Sequence, residues 1–277
     1  MTNKGLKRIV TDKFYTKPEI VIKCIDYIKE HLVINDTDIL IEPSAGAGAF
    51  YSKLKDCFEN KILAYDILPE LDDIKKQDWL TLDITPFKDK KVHIIGNPPF
   101  GRQSSSAKKF INKCCKFAES ISFILPKSFK KTSFQKSFSL SYHLIFSIDI
   151  EDNAFLIDNE THNVPTVFQI WIKKDIDRVI DIPEDSKYFT FVKKDEQPDL
   201  SIRRVGVNAG NCCKDINSKS ISSHYFVKLN DTLDIDDFIN KINNLNLNNE
   251  DNTVGPKSIS KGELTKQTNQ ILFENNP

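Results

Sequence analysis

Short apolar runs bounded by turn residues recur through the first half of the chain. Four of these runs predict buried strands, at 38–41, 62–65, 92–95 and 121–125. Residues with helical spacing lie between several of them, as at 106–117. Buried strands that alternate with helices indicate a mainly parallel sheet that is covered on both faces.

A helix is predicted before the first of these strands. Thr16 is expected to cap it, with Glu19 at the capping-box position and Pro18 in the first turn, where its missing N–H does no harm. The apolar positions that follow at helical spacing are Val21, Cys24, Ile25, Ile28 and Leu32.

The pattern changes after residue 140. The runs at 141–150 and 164–172 are separated by an acidic loop without a clear helix, and they predict an antiparallel pair at the sheet edge. We therefore place one domain at 1–178 and a small α+β extension at 179–277, with strand-like segments at 188–193 and 201–207. An asparagine-rich loop is expected near 241–252, and Ser260 with Glu263 predicts the start of a last short helix.

Composition narrows the class of protein. The 277 residues include 39 Lys and Arg against 39 Asp and Glu, and no apolar run is long enough to cross a membrane. The N-terminus leads into no apolar signal core, and six cysteines occur without a C-x-x-C spacing. The five histidines are scattered, so we expect no metal site. An intracellular, cytoplasmic protein is predicted, with the nucleus as an alternative, and no membrane partner.

Charge is distributed unevenly along the chain. Residues 101–140 carry nine Lys and Arg against one acid, whereas residues 141–185 carry ten acids against three bases. The basic segment is either a solvated face or a track for a polyanion, because Lys and Arg that neutralise phosphates release counterions. Arg203-Arg204 and His224-Tyr225-Phe226 in the extension belong either to a substrate-recognition surface or to a packed core.

A glycine-rich turn follows the first predicted strand, in Glu42-Pro43-Ser44-Ala45-Gly46-Ala47-Gly48. Gly46 and Gly48 allow a ligand to approach the backbone closely, but the third glycine of the dinucleotide fingerprint is missing. Glu42 can accept a hydrogen bond from a ligand ammonium or hydroxyl group. Asp66, at the end of the next strand, either holds a ribose diol or caps a turn.

A second motif, Gly96-Asn97-Pro98-Pro99-Phe100-Gly101, comes directly after the strand at 92–95. The two prolines fix the backbone and remove two N–H donors. The Asn97 side-chain oxygen and the Pro98 carbonyl then form an acceptor pair for an exocyclic amine, and Phe100 offers an aromatic face. The alternative is a rigid loop without a chemical role.

These segments resemble a known family. The turn from Glu42 to Gly48 resembles motif I of the class I S-adenosylmethionine-dependent methyltransferases. Asn97-Pro98-Pro99-Phe100 is similar to motif IV of the amino-methyltransferases, of bacterial and viral type, that act on adenine N6. Phe14-Tyr15-Thr16 resembles motif X, although Lys17 separates Thr16 from the proline, and Asp78 matches the motif III acid. The resemblance spans about residues 12 to 174.

The resemblance implies a fold and a cofactor. The fold is α/β, with a Rossmann-like, seven-stranded, mostly parallel sheet, an antiparallel edge strand and helices on both faces, plus a small C-terminal extension. The cofactor is S-adenosylmethionine, which leaves as S-adenosylhomocysteine. The residues implied to bind it are Tyr15, Thr16, Glu42, Pro43, Ser44, Gly46, Gly48, Phe50, Asp66, Ile67, Asp78 and Trp79.

The resemblance also implies a reaction. Asn97 and Pro98 would orient the N6 amine of an adenine, and Phe100 would stack on the base, which must leave any duplex to reach the site. The candidate phosphate contacts are Arg102, Lys127, Lys130 and Lys131. A nucleic acid is therefore the expected partner, with DNA favoured over RNA, and no protein partner is identified.

Three alternatives stay open at this point. Ribosomal, small nuclear or messenger RNA could carry the adenine. A glutamine side-chain amide presents the same NH₂ group, although enzymes of that kind usually carry Asn-Pro-Pro-Tyr. The chain could also be a cofactor-binding subunit without catalytic activity.

Overall fold

A computed structural model describes residues 14–157, 160–179, 184–230, 233–245 and 257–271. The chain divides into two compact units, Met1–Val179 and Ile180–Pro277. Among the described residues, the first unit has a seven-stranded and a three-stranded sheet, the second has a four-stranded sheet, and each unit has its own apolar core.

The described part of the first unit contains four α-helices and ten strands. The helices are α1 (Pro18–His31), α2 (Ala49–Cys57), α3 (Ser105–Cys114) and α4 (Thr132–Gln135). The strands are β1 (Tyr15–Thr16), β2 (Ile39–Glu42), β3 (Lys61–Asp66), β4 (Lys75–Lys76), β5 (Val92–Gly96), β6 (Ser120–Pro126), β7 (Tyr142–Asp149), β8 (Phe155–Ile157), β9 (Glu160–His162) and β10 (Thr166–Lys173).

Seven of these strands form one mostly parallel sheet, in the order β4-β3-β2-β5-β6-β10-β7. The pairs from β4 to β6 are parallel, whereas β10 runs antiparallel to both β6 and β7. The predicted fold class is therefore confirmed, including the antiparallel pair at the sheet edge.

Alternating side chains on the central strands explain why helices cover both faces. Ile39 and Ile41 of β2 belong to an apolar cluster with α3 and Trp79, whereas Leu40 between them belongs to a cluster with α1 and α2. Successive side chains of a strand point to opposite faces, so a continuous apolar run buries both.

Two local predictions in this unit are wrong. Helix α1 begins at Pro18 with Lys17 as its N-cap residue, and no side chain caps it. Thr16 lies in β1, which pairs with β8, and its hydroxyl group contacts Asn97 instead. The acidic segment that was expected to be a loop contains the hairpin β8–β9. Strand β1 and the hairpin β8–β9 pair with each other, and local sequence patterns do not reveal such a tertiary contact.

A buried polar network lies at the amino ends of the parallel strands. The ring of His93 contacts Ser120 Oγ through Nδ1 at 2.7 Å and Asp38 Oδ2 through Nε2 at 3.3 Å. All three side chains are buried, and burial lowers the pKa of His93. The residue types are those of a hydrolase triad, but the network is buried at the amino ends of the strands, whereas the cavity described below lies at their carboxyl ends.

The second unit contains a separate antiparallel sheet, in the order β11-β14-β12-β13. Its elements are β11 (Phe189–Val192), β12 (Leu200–Arg203), β13 (Cys212–Cys213), β14 (His224–Leu229), α5 (Ile235–Asn244) and α6 (Lys261–Ile271). The predicted cap of the last helix is confirmed, because Ser260 Oγ accepts from Glu263 N–H and Glu263 Oε2 accepts from Ser260 N–H. Residues 241–244, predicted as a loop, are helical, and 246–252 lie outside the described residues.

No helix in the described ranges is long and apolar enough to cross a membrane. The six cysteines are free thiols. Cys24, Cys114 and Cys212 are buried, and burial raises the pKa of the Cys212 thiol to about 12.

Candidate active site

A cavity of about 500 Å³ lies at the carboxyl ends of β2, β3 and β5. This is the edge at which ligands bind in open parallel sheets. The predicted site residues that line it are Tyr15, Thr16, Glu42, Pro43, Ser44, Gly46, Phe50, Asp66, Ile67, Asp78, Trp79 and Asn97. The structure thus brings the glycine-rich turn and the Asn97 motif into one cavity.

The other predicted site residues do not line this cavity. They are Gly48, Pro98, Phe100, Arg102, Lys127, Lys130 and Lys131. Gly48 is the N-cap residue of α2 at φ +81°, and a Cβ atom there would come within 2.5 Å of Leu71 Cδ1. The need for glycine at this position is therefore steric and local.

Phe100 occupies a position different from the one expected. Its ring stacks on Phe14 with the centroids 6.3 Å apart and an interplanar angle of 22°. It packs against the apolar cluster of α1 and α2. Phe14 lines the cavity whereas Phe100 does not, and stacking of Phe100 on a base stays a prediction.

The basic residues that follow β6 are engaged within the first unit. The ammonium groups of Lys127 and Lys130 lie 3.1 and 2.9 Å from the carboxylate of Asp149. The Lys127 side chain is only 11% exposed. Lys131 ends the 3₁₀ turn that these lysines form. Asp149 therefore neutralises two of the three lysines that were candidates for phosphate contacts.

The Asp66 carboxylate braces the glycine-rich turn. Its Oδ2 accepts from the Gly46 N–H at 2.7 Å, and its Oδ1 accepts from the Leu68 N–H at 2.8 Å. A carboxylate has about four lone-pair sites, so each oxygen can still accept from a ligand hydroxyl. Asp66 thus fixes the turn and still faces the cavity with acceptor capacity.

Glu42 is a buried acid with an unsatisfied oxygen. Its side chain is 2% exposed, and Oε2 has no hydrogen-bond partner among the described residues. Burial raises the pKa of Glu42 well above its usual value. A hydrogen bond from the Tyr51 backbone lowers this pKa, and the nearby Asp66 charge raises it further. A Cβ atom on Gly96 would lie 3.2 Å from Glu42 Cγ, so glycine before Asn97 gives this acid its space.

The side-chain amide of Asn97 has a fixed orientation. Its Nδ2 donates to the Phe14 carbonyl at 3.3 Å and to Thr16 Oγ1 at 3.2 Å. A carbonyl can only accept, so the amide nitrogen must face Phe14. Oδ1 is buried and accepts no hydrogen bond within the described part of the chain. The Pro98 carbonyl likewise accepts none there.

A hydrogen bond joins the two motifs directly. Ser44 Oγ donates to the Asn97 carbonyl at 3.1 Å. On the opposite wall, the Tyr15 hydroxyl donates to Glu70 Oε1. The turn before α2 is thereby connected to the loop after β5, and β1 is connected to the loop after β3.

The rim of the cavity is unusually apolar. Ile67, Leu68 and Leu80 all line it although their side chains are 61%, 55% and 39% exposed. Next to them, Asp78 Oδ1 accepts from the Leu80 N–H, and its second oxygen has no partner among the described residues. Exposed apolar side chains beside one carboxylate oxygen suit a planar ring that carries an amine.

The loop between the Asn97 motif and α3 has a strained backbone. Gln103 and Ser104 have φ of +53° and +60°, in the left-handed region that is unfavourable for residues with a Cβ atom. These two backbone conformations turn the chain just before α3. Ser106 and Lys109 of α3 line the cavity. Lys109 is exposed and forms no ion pair within the described residues.

Sequence reasoning missed several residues of the cavity. They are Phe14, Ala45, Ala47, Ala49, Leu68, Gln77, Leu80, Pro99, Ser106, Lys109 and Phe110. The alanines follow from the glycine-rich turn, and Phe14 lies in the segment that resembles motif X. Lys109 could have been found from helical periodicity, because it lies three residues after Ser106, which lines the cavity from the same face of α3. Within the described ranges, no cluster of three or more His, Cys, Asp or Glu side chains could hold a metal ion.

Two curated proteins are similar to this chain over part of its length. The chain is 29% identical over 156 residues to Protein ENHANCED DOWNY MILDEW 2 of Arabidopsis thaliana, an alignment covering 53% of this chain and 11% of that protein. It is 27% identical over 99 residues to an uncharacterized methyltransferase-like protein of Schizosaccharomyces pombe, covering 33% of this chain and 39% of that protein. The chain therefore spans well under half of either relative.

Solved structures with a similar fold are more distant. A candidate RNA methyltransferase from Pyrococcus horikoshii has a TM-score of 0.46 and 14% identity, covering 61% of this chain and 92% of that one. The magnesium protoporphyrin IX methyltransferase of Synechocystis has a TM-score of 0.41 and 9% identity, covering 57% of this chain and 79% of that one.

The family model described as the EDM2 methyltransferase-like domain matches residues 33–180, which is more than half of the chain. The match contains the glycine-rich turn, Asp66, Asp78 and the Asn97 motif. The chain belongs to the EDM2 methyltransferase-like domain family.

Proposed function

We propose that this chain transfers a methyl group from S-adenosylmethionine to the exocyclic N6 amine of adenine in a nucleic acid, with DNA ahead of RNA. The observation that carries this proposal is the Asn97 amide. Its nitrogen is committed to Phe14 and Thr16, and its buried Oδ1 is left without a partner among the described residues. A buried acceptor without a donor is costly, and the amine of a bound base would satisfy it.

The cavity residues fit the cofactor. Glu42 Oε2 is a buried, unpartnered acceptor at the end of β2, suited to an ammonium group. Asp66 faces the cavity with acceptor capacity for ribose hydroxyls, and the free oxygen of Asp78 lies beside the apolar rim for the adenine amine. When bound, S-adenosylmethionine supplies an electrophilic sulfonium methyl group.

The chain's own residues prepare the acceptor amine. Asn97 Oδ1 and the Pro98 carbonyl each accept one N–H of the amine, which favours the pyramidal form with a localised lone pair. Thr16 and Phe14 hold the Asn97 amide, so it does not have to reorganise as the reaction proceeds. Orientation of the lone pair toward the methyl group supplies much of the remaining acceleration. No strong general base is required, since a methylated aromatic ammonium loses its proton readily.

Contacts with the nucleic acid backbone are assigned to Arg102 and Lys109. Both are exposed, neither forms an ion pair within the described part of the chain, and Lys109 lines the cavity. Cations at the entrance to the cavity attract phosphate groups. Lys127 and Lys130 are less suited to this role because Asp149 already pairs with them.

A glutamine side-chain amide remains the second candidate acceptor. It presents the same two N–H groups to Asn97 and Pro98. The preference for a planar base depended partly on Phe100, and that ring packs against Phe14 rather than lining the cavity. The basic segment at 101–140 and the open cations at the entrance still favour a polyanion.

Radiolabelled methyl transfer tests the proposal. The full chain is incubated with tritiated S-adenosylmethionine and with adenine-containing DNA, the matching RNA, or a glutamine-containing peptide. Label on DNA supports the proposal as stated, and label on RNA supports adenine but reverses the DNA preference. Label on the peptide alone, or on none of the three, overturns adenine methylation.

Asn97→Ala and Asn60→Ala form a matched pair for this assay. Asn60 also donates from its side chain to two backbone carbonyls, but it lies at the amino end of β3. We expect Asn97→Ala to lower the turnover rate by about 100-fold or more, as loss of a preorganised polar contact does. Binding of S-adenosylhomocysteine should be retained, and Asn60→Ala should leave the turnover rate unchanged.

A further inference from the structure

The second unit has a cavity of its own, of about 610 Å³, beside the end of edge strand β11. Aromatic and basic side chains dominate its lining. Four of its lining residues are Phe191, Tyr225, Arg204 and Lys261. All of these belong to the second unit, so the cavity is complete without any residue of the active site.

The aromatic rings are held rigidly. Phe191 and Tyr225 meet edge to face, with their centroids 5.5 Å apart and an angle of 74° between the rings. Both pack against the apolar core of this unit while remaining partly exposed. The Tyr225 hydroxyl donates to the Ile259 carbonyl, which fixes the ring further. Rigid, half-exposed rings present faces at little cost in conformational entropy.

Two cations lie over these rings. Lys261 Nζ is 4.4 Å from the Phe191 centroid and 5.9 Å from the Tyr225 centroid. Arg204 Cζ is 5.4 Å from the Tyr225 centroid. These distances allow cation–π contacts, which orient the charged groups above the aromatic faces.

The same two cations lack acidic partners, whereas other lysines of the unit have them. Lys214, Lys219 and Lys241 pair with carboxylates at 2.7, 3.1 and 3.0 Å. Neither Arg204 nor Lys261 forms an ion pair with any carboxylate in the described ranges. Within the described part of the unit, Arg204 and Lys261 are therefore two cations without an ion pair beside the partly exposed rings of this cavity, whose lining contains one acid, Asp195.

We propose that this cavity binds a single-stranded nucleic acid, with a base against the aromatic faces and phosphates on Arg204 and Lys261. Stacking on aromatic rings and guanidinium planes, combined with cations along the backbone, is the usual way in which proteins hold single strands. A duplex keeps its bases stacked on one another and cannot offer a face to Phe191 or Tyr225. An acidic peptide would satisfy the charges but would bring no planar group for the rings.

This surface deepens the proposed function, because it would grip the strand that carries the target adenine. Its role in methyl transfer rests on that function, but strand binding itself does not. Oligothymidylate is therefore the probe, since it contains no adenine and cannot serve as methyl acceptor. Binding of a short fluorescein-labelled oligothymidylate to the full chain is measured by fluorescence anisotropy over a range of salt concentrations.

The test variant is Arg204→Ala/Lys261→Ala, and the control is Lys214→Ala/Lys241→Ala. Both remove two positive charges, but the control lysines are paired with Asp236 and Asp237. We expect the test variant to lose affinity about tenfold or more and its salt slope to fall by about 1.4, for two phosphate contacts on a single strand. The control should bind like the wild type. Phe191→Leu, checked for folding by thermal unfolding, should lose affinity at least about fivefold through lost stacking.

The proposal is overturned if the test variant binds oligothymidylate as the wild type does, or if duplex of equal length binds as tightly as the single strand. Equal competition by polyglutamate would show that charge alone is recognised, and would also overturn it. Asn97→Ala separates the two proposals, since it should bind oligothymidylate normally. If the wild type binds the strand but transfers no methyl group, only the proposed function is overturned. If it transfers methyl groups but does not bind the strand, only the proposal for this cavity is overturned.

Discussion

The hydroxyl group of Thr16 accepts a hydrogen bond from the side-chain amide of Asn97 at 3.2 Å, although 81 residues separate them in the sequence. Thr16 is held in turn by the two-residue strand β1, which pairs with β8. The segment before α1 therefore sets the direction in which the Asn97 oxygen points.

Substitution of Thr16 tests this positioning role. Thr16→Val keeps the shape of the side chain but removes the acceptor, so the Asn97 amide loses one of its two restraints. We expect the turnover rate to fall roughly tenfold, equivalent to about 1.4 kcal/mol for one hydrogen bond. Thr16→Ser keeps the hydroxyl acceptor and should therefore retain most of the wild-type turnover rate. Single-turnover kinetics measures the effect, and a change in KM for S-adenosylmethionine without a change in rate would contradict it.

Protonation of Glu42 predicts a pH dependence of stability. Its pKa in the folded protein lies well above 4.5, chiefly because it is buried. The unfolded chain loses this proton first as pH rises, so Glu42 destabilises the folded state increasingly between pH 4.5 and its folded-state pKa. Glu42→Gln should therefore raise the melting temperature, and more so at mildly alkaline pH than near pH 4.5. An equal shift at both pH values would contradict the assignment.

The same acid predicts a proton release on cofactor binding. An ammonium group beside Glu42 favours the ionised carboxylate, so binding of S-adenosylhomocysteine should expel the proton. Isothermal titration calorimetry in two buffers of different ionisation enthalpy measures this release. Glu42→Gln should bind more weakly and release no proton through this group. Identical binding enthalpies in the two buffers for the wild type would show that Glu42 does not change its protonation state.

Two glycine substitutions should affect stability in opposite directions. Gly48 has φ +81°, and a Cβ atom there would meet Leu71 Cδ1 at 2.5 Å. Gly48→Ala should therefore lower the free energy of unfolding by about 1–2 kcal/mol. Gly262, in α6, has no atom within 4 Å of a built Cβ. Gly262→Ala should raise the free energy of unfolding by roughly 0.5 kcal/mol, as alanine does in a helix. Urea unfolding of both variants measures the difference.

Asp149 should matter more for stability than either lysine that it binds. Asp149→Ala removes the ion pair that Asp149 forms with the mostly buried Lys127 ammonium, which should cost about 1–2 kcal/mol after allowance for partial exposure. Lys130→Ala removes a more exposed partner and should cost less than about 1 kcal/mol. Chemical unfolding of the two variants checks the order. A larger loss in the free energy of unfolding for Lys130→Ala than for Asp149→Ala would contradict the larger contribution expected from the Lys127–Asp149 pair.

The sheet and the cavity were predictable because their signals are local. Each central strand is a continuous apolar run, and the polar residues directly after β2, β3 and β5 must meet at one edge of a parallel sheet. Glu42, Asp66 and Asn97 were found in this way. Their roles in the reaction stay predictions until the assays above are done.

The features that the sequence did not indicate involve residues whose partners are distant in the sequence. Thr16 has the local pattern of a helix cap, but Asn97 and the pairing of β1 with β8 hold it elsewhere. Lys127 and Lys130 follow β6 as phosphate ligands would, yet Asp149 on β7 pairs with both. No spacing rule connects such residues, because tertiary packing alone brings them together.

The hydrogen bond from Ser44 to the Asn97 carbonyl has a consequence for the order of events. It ties the loop that would receive the methyl donor to the loop that would receive the acceptor, so a ligand that stiffens one loop also lowers the entropic cost of stiffening the other. Linkage makes such an effect reciprocal. Each substrate should therefore tighten the binding of its companion by the same factor, and loss of the Ser44 hydroxyl should reduce that cooperativity while leaving each separate affinity largely intact.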